Sequence, residues 1–137
     1  MAETVAAFVE EWFRGCGAVD PDDILGSTGW EGDDADEFID GFSERFCVDL
    51  GGFVDVFHYD PDEPPMGRFT VLGPDGQKLE RIPLTLAMLE AAARDGRWAY
   101  PYPPHEVRTS RVLGVAIWGL FIVMACLAVI ELGRLML

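Results

Sequence analysis

Basic residues are scarce in this chain: 10 Lys and Arg stand against 24 Asp and Glu, a formal net charge of −14 over 137 residues. That shortage argues against nucleic acid as a partner, because neutralising phosphates needs clustered cations. It also works against lying flat on an anionic lipid surface. Cysteine is sparse as well. Cys16, Cys47 and Cys126 are an odd number and widely spaced, which predicts reduced, packed thiols rather than a disulfide framework or a zinc site. Histidine occurs only as His58 and His105. His58 sits in Phe57-His58-Tyr59-Asp60-Pro61-Asp62-Glu63, where carboxylates surround one imidazole and prolines predict a solvated loop instead of convergent metal ligands. His105 follows Pro103-Pro104 and is expected to be exposed. No nucleophile elbow and no Gly-Lys-Ser or Gly-Lys-Thr phosphate loop occurs. Asp33 and Asp34 do not make a dyad, since adjacent helical residues do not face each other. The chain is therefore read as a non-enzyme without catalytic residues, metal or cofactor.

One stretch lacks charge altogether. Val112 to Ile130 runs nineteen residues without an ionisable acid or base, enough for a helix to cross a hydrocarbon core of about 30 Å at ~1.5 Å per residue. A soluble core helix would carry polar residues at helical spacing, and none stand here. Arg108 and Arg111 precede the run and Arg134 follows it, a two-to-one bias that favours an inside N-terminus. The chain begins Met-Ala-Glu-Thr-Val-Ala-Ala-Phe, without the positive start and apolar core of a signal peptide. The expectation is a tail-anchored, single-pass protein of the inner (cytoplasmic) membrane with its N-terminal part cytoplasmic. Glu131 and Arg134 are spaced to pair at the membrane edge.

The preceding part is read as one domain over residues 1–97, followed by a Pro/aromatic linker at 98–111, a transmembrane helix at 112–132 and a short tail at 133–137. Val5, Phe8, Val9, Trp12 and Phe13 recur on one helical face between about Glu3 and Arg14, with Gly15 placed to stop it. Pro21 suits the start of a short helical turn in Asp20-Pro21-Asp22-Asp23-Ile24-Leu25. From Asp33 to Phe46 the apolar residues Ala35, Phe38, Ile39, Phe42 and Phe46 form a one-sided stripe. A loop and short helix are expected around Gly51-Gly52. Phe69-Thr70-Val71-Leu72 and Lys78-Leu79-Glu80-Arg81-Ile82 flank Gly73-Pro74-Asp75-Gly76, a turn sequence that predicts a small β-hairpin. Thr85 is placed to cap a last helix that runs through Asp95 and ends at Gly96, with Leu86, Leu89 and Ala93 inward. Trp98-Ala-Tyr-Pro-Tyr-Pro-Pro104 reads as a stiff extended linker, with Trp98 packed on the domain.

The central residues carry a resemblance. Leu25-Gly26, Gly32-Asp33-Asp34-Ala35-Asp36-Glu37-Phe38, Phe42, Phe46, Val48-Asp49-Leu50 and Gly52-Phe53 resemble a bacterial family of unknown function marked by a Gly-Asp-Asp-Ala stretch and similar to acyl carrier proteins. Pro83-Leu84-Thr85-Leu86 and Gly96-Arg97-Trp98 match its last helix and that helix's end. The resemblance implies a mainly α, acyl-carrier-like bundle, with the β-hairpin as an insertion and the C-terminal transmembrane helix outside the likeness. Acyl carriers hold a phosphopantetheine arm on a serine at the start of their second helix, where this chain reads Gly32-Asp33-Asp34-Ala35. No hydroxyl stands there, and Ser27 and Thr28 lie upstream. What the resemblance carries over is an acidic recognition surface: Asp33, Asp34, Asp36, Glu37, Asp40 and Glu44, facing a basic cytosolic partner. The competing readings are a solvated surface only, a true carrier modified on Ser27, and an accessory subunit of a membrane complex held by its span.

Overall fold

The computed structural model describes residues 2–60, 68–110 and 112–136. It is mostly helical, with a small two-stranded antiparallel sheet and one long C-terminal helix. Helix α1, Val5–Trp12, begins where the Thr4 hydroxyl accepts the Ala7 amide, which satisfies one of the otherwise unpaired first-turn donors. Helix α2, Ile24–Thr28, is a single turn capped by the Asp23 carboxylate and closed by Gly29 in the left-handed conformation. Helix α3, Gly32–Phe46, is the longest helix of the packed part. A 3-10 turn at Asp55–Phe57 follows, then strand β1, Arg68–Leu72. Helix α4, Leu86–Asp95, starts at the Thr85 cap and stops at Gly96, at φ +71°. Strand β2, Glu106–Ser110, leads on to helix α5, Val112–Leu135.

The core forms where the apolar stripes meet. Val5, Phe8, Val9 and Phe13 pack with Ala35, Phe38, Ile39 and Phe42, and with Ile24, Leu25, Leu84, Leu89 and Ala92. Rings supply most of its mass: Phe13 lies 4.9 Å from Phe38 and 4.7 Å from Trp30, between ring centroids. A glycine sets how closely α1 and α3 approach. A Cβ on Gly41 would come within 2.7 Å of the Trp12 ring, so only hydrogen lets that indole lie flat on α3.

The hairpin expectation holds for the turn and the first strand, while the main partner of that strand comes from elsewhere. Gly73–Gly76 turns the chain, Gly76 at φ +79°, with the Gly73 amide donating to the Gln77 carbonyl at 2.8 Å. The return limb keeps only a bridge between Leu72 and Lys78 and the bond from the Leu79 amide to the Val71 carbonyl. The full ladder is made with β2, in the register Phe69 to Thr109, Thr70 to Arg108, Val71 to Val107. Residues 106–110, read from sequence as linker, are thus a strand. One further expectation needs correction. Cys16, Cys47 and Cys126 are free, as expected of thiols, but exposed and not packed. Trp98 packs on the domain as expected: it is buried, and its amide donates to the Asp49 carbonyl at 2.8 Å.

Among the described residues, nothing covers helix α5 from Val115 onward. Val115–Leu135 has a mean hydropathy of 2.5, and none of its most apolar window is buried. It is one helix long and apolar enough to cross a membrane. At its end the Arg134 guanidinium donates to the Glu131 carboxylate at 3.2 Å.

Candidate functional site

The acidic helix divides into two kinds of carboxylate. Ala35, Phe38, Ile39 and Phe42 bury one face of α3, which turns the remaining positions outward. Asp33, Glu37, Asp40 and Glu44 are exposed. Their spacing of four, three and four residues draws a single stripe about 16 Å long at helical rise. Asp34 is also exposed, beside the stripe. Among the described residues none of these five takes part in a salt bridge. Only Asp33 and Asp34 stand in the first turn, where the helix dipole favours a negative charge. Like charges four apart, as at Asp33 and Glu37 or Asp40 and Glu44, cost an isolated helix about 0.2–0.5 kcal/mol each. Asp36 behaves differently. It is half-buried, and its carboxylate accepts a hydrogen bond from the Tyr59 hydroxyl. Burial first, and then this bond, hold the Tyr59 phenol well above its ordinary value. Asp36 therefore ties α3 to the segment after the 3-10 turn, whereas the stripe is free to meet something else. At the helix end Arg45 pairs with Glu3.

Ser27, the alternative attachment point, lies on α2 and not at the start of the long helix. Its hydroxyl donates to the Ile24 carbonyl at 3.1 Å and accepts the Asp20 amide at 3.0 Å. Thr28 donates to the Ile24 carbonyl at 2.9 Å. Both hydroxyls are occupied in shaping the α2 turn. Arg108 lies on β2, its side chain 3.4 Å from the Glu106 carboxylate, and Arg134 near the end of α5; Arg111 lies outside the described residues.

The polar cluster that sequence reasoning missed is built around His58. Far from being a solvated loop residue, its side chain is 0% exposed. Nδ1 lies 2.9 Å from the Ile82 carbonyl and Nε2 2.7 Å from the Tyr102 hydroxyl. A carbonyl can only accept, so Nδ1 carries the proton, and Nε2 of the neutral ring must accept from Tyr102. The Tyr102 oxygen then accepts from the Trp98 indole at 2.9 Å and, at 3.4 Å, from the Val54 amide. Phe53 stacks on the imidazole at 5.2 Å and 9°. Burial is the main reason the His58 pKa falls to about 4; the nearby Arg81 lowers it further, while the Ile82 bond opposes the fall. Arg81 also donates to the His58 carbonyl at 2.5 Å and to Asp23 at 3.1 Å. With both ring nitrogens engaged, this histidine has no lone pair to offer a substrate. It acts as a latch that fastens the Trp98–Tyr102 strap to the 3-10 turn. The signal for it was the ring density of Phe53, Phe57, Tyr59, Trp98 and Tyr102 on two distant segments. His105 is exposed, as expected, with its ring against Phe57.

A family profile described as "Protein of unknown function (DUF1493)" matches residues 18–101. The chain belongs to the DUF1493 family. The DUF1493 match takes in α2, α3 with its acidic stripe, His58, β1, α4 and Trp98, and leaves α1, Tyr102, β2 and α5 outside. No curated protein and no solved structure matches the chain.

Proposed function

We propose that this DUF1493 member is a non-catalytic, single-pass membrane protein that presents its acidic α3 stripe to a basic protein beside the inner membrane. The observation that carries the reading is the pairing of two features in one chain. Among the described residues, one is an apolar helix, α5, with no protein surface covering it, and the other is a row of exposed carboxylates on α3 without basic partners. An exposed apolar helix of this length is stable in lipid and costly in water, while a like-charged row gains most from a cationic surface. Arg108 and Arg111 before α5, against Arg134 in its last turn, support an orientation with the domain on the cytoplasmic side. The acidic second helix of the acyl-carrier likeness supports a docking role without requiring a prosthetic arm, because Gly32-Asp33-Asp34-Ala35 offers no serine.

The test reverses only the exposed carboxylates, Glu37→Lys, Asp40→Lys and Glu44→Lys together, and leaves Asp36 to its tyrosine. The triple variant should fold, insert into membranes and lose the proteins that co-purify with the native chain in mild detergent. If its far-ultraviolet dichroism is native and the same partners are recovered, the stripe is solvated surface and docking is refuted. Anchoring is judged separately. A full-length chain found in the supernatant of lysed cells spun at high speed without detergent refutes the membrane reading.

A further inference from the structure

Exposed large apolar side chains occur in few places on this molecule. Outside α5 and Met136, which directly follows it, and among the described residues, they are Phe69, at 36% exposure, and Val107, at 40%. Both lie on the two-stranded sheet. Side chains alternate along a strand, and the register sets Val107 opposite Val71 and Phe69 opposite Thr109. Phe69, Val71 and Val107 therefore share one face. Val71 is buried in that face, and β1 packs on the 3-10 turn, while Phe69 stands two residues beyond Val71 toward the end where β2 finishes. Arg108 lies on the opposite face, beside Glu106.

That end of the sheet is also the end that enters α5. Cross-strand partners are about 5 Å apart, so Phe69 lies at the level of Thr109. Thr109 precedes the first residue of α5, Val112, by three residues, a reach of about 11 Å at full extension. The opposite end of β1, at Leu72, is farther away by about 10 Å of strand rise. Phe69 thus lies at the pole of the sheet that the covalent chain holds near the start of the span, and Val107, opposite Val71, continues the same face two rungs farther from it.

We propose that this face of the sheet is a lipid contact: Phe69, at the α5 end, and Val107 beyond it seat in the headgroup layer of the bilayer that α5 crosses. The proposal rests on the membrane reading of α5. Aromatic and aliphatic side chains gain free energy in that layer. The net charge of −14 makes zwitterionic phosphatidylcholine the fitting surface, because an anionic one would repel the domain as a whole. The contact would fix which side of the domain faces the bilayer, so that its orientation does not depend on a loose tether.

Full-length protein with Cys16→Ser, Cys47→Ser and Cys126→Ala, reconstituted into phosphatidylcholine vesicles, provides the test. Single cysteines are introduced at Phe69→Cys, at Val107→Cys and, at the turn tip, at Asp75→Cys, each labelled with an environment-sensitive fluorophore. Each of the first two leaves the other apolar side chain in place, and each labelled protein must keep the native far-ultraviolet dichroism. Probes at 69 and 107 should emit to the blue of the probe at 75 and lose most of their emission to a nitroxide carried by the lipid headgroup. The probe at 75 should stay unquenched. If the protein floats with the vesicles and its α5 is protected from protease, yet 69 and 107 are no more quenched than 75, the sheet contact is refuted while the span stands. If the protein does not float, the membrane reading falls and this contact falls with it.

Discussion

Tyr102→Phe removes one oxygen and should cost this domain a large share of its stability. The hydroxyl is the hub of the His58 latch: it donates to Nε2 of a fully buried imidazole and accepts from the buried Trp98 indole. The ring of Phe would keep the stacking on Phe57, 5.1 Å away, so packing is nearly unchanged and the loss is polar. Two buried groups are left without partners, at about 1–3 kcal/mol each, which sums to about 2–6 kcal/mol. The third, the Val54 amide, is at 3.4 Å and adds little. Against a typical domain stability of about 5–15 kcal/mol, the native state becomes marginal. The assay is urea unfolding of the full chain in mild detergent, followed by tryptophan fluorescence, which Trp98 reports from inside the cluster. With a slope of about 1–3 kcal/mol/M, the midpoint should fall by roughly 1–3 M. Tyr100→Phe is the control, since Tyr100 lies in the same strap, is half-buried, and its hydroxyl has no hydrogen-bond partner among the described residues. Equal midpoints for Tyr102→Phe and the native chain would refute the latch, for they would mean that the hydroxyl joins no sealed network.

The same imidazole should make stability fall on mild acidification. Its pKa drops from 6.5 to about 4 in the folded state, so between those values the unfolded chain binds a proton that the native one does not. Stability is then full above pH 6.5 and declines toward pH 4, by about 3 kcal/mol in total. Urea midpoints from pH 7 to 5 should show that slope in the native chain and lose it in His58→Gln; parallel curves would refute it. Gly52→Ala drives a Cβ to 2.8 Å from the Trp98 carbonyl, backbone against backbone. It should lower stability by about 1–3 kcal/mol, and an unchanged melting temperature would deny the close approach of turn and strap. Intact mass of the purified chain should show no phosphopantetheine on Ser27, whose hydroxyl is engaged on both sides; the added mass would restore the carrier reading.

Helices α1, α3 and α4 were legible because each buries one stripe of a 3.6-residue period, and for α4 the chain also shows its start and stop, Thr85 and Gly96. The candidate stripe was legible for the same reason, since the positions that α3 does not bury are acidic. Asp36 could not be separated from Glu37 or Asp40 by spacing, because its partner, Tyr59, is 23 residues away. His58 was misread because the prolines and carboxylates beside it describe the chain after it, whereas its burial is set by Ile82, Trp98 and Tyr102. Strand β2 was read as linker because Glu106-Val-Arg-Thr-Ser110 is short and polar at alternate positions, beside a proline run. Its hydrogen bonds are owed to β1, thirty-four to forty-two residues earlier.

The amino-acid order alone determined the long apolar helix, the acidic outer face of α3 and the helix ends, since these follow from side-chain periodicity and caps within a few residues. Tertiary structure alone decided which carboxylate is occupied, which histidine is sealed and which strand pairs with β1. Those outcomes depend on hydrogen bonds between distant segments, and a buried donor or acceptor is satisfied by whatever the fold brings beside it, not by its neighbours along the chain.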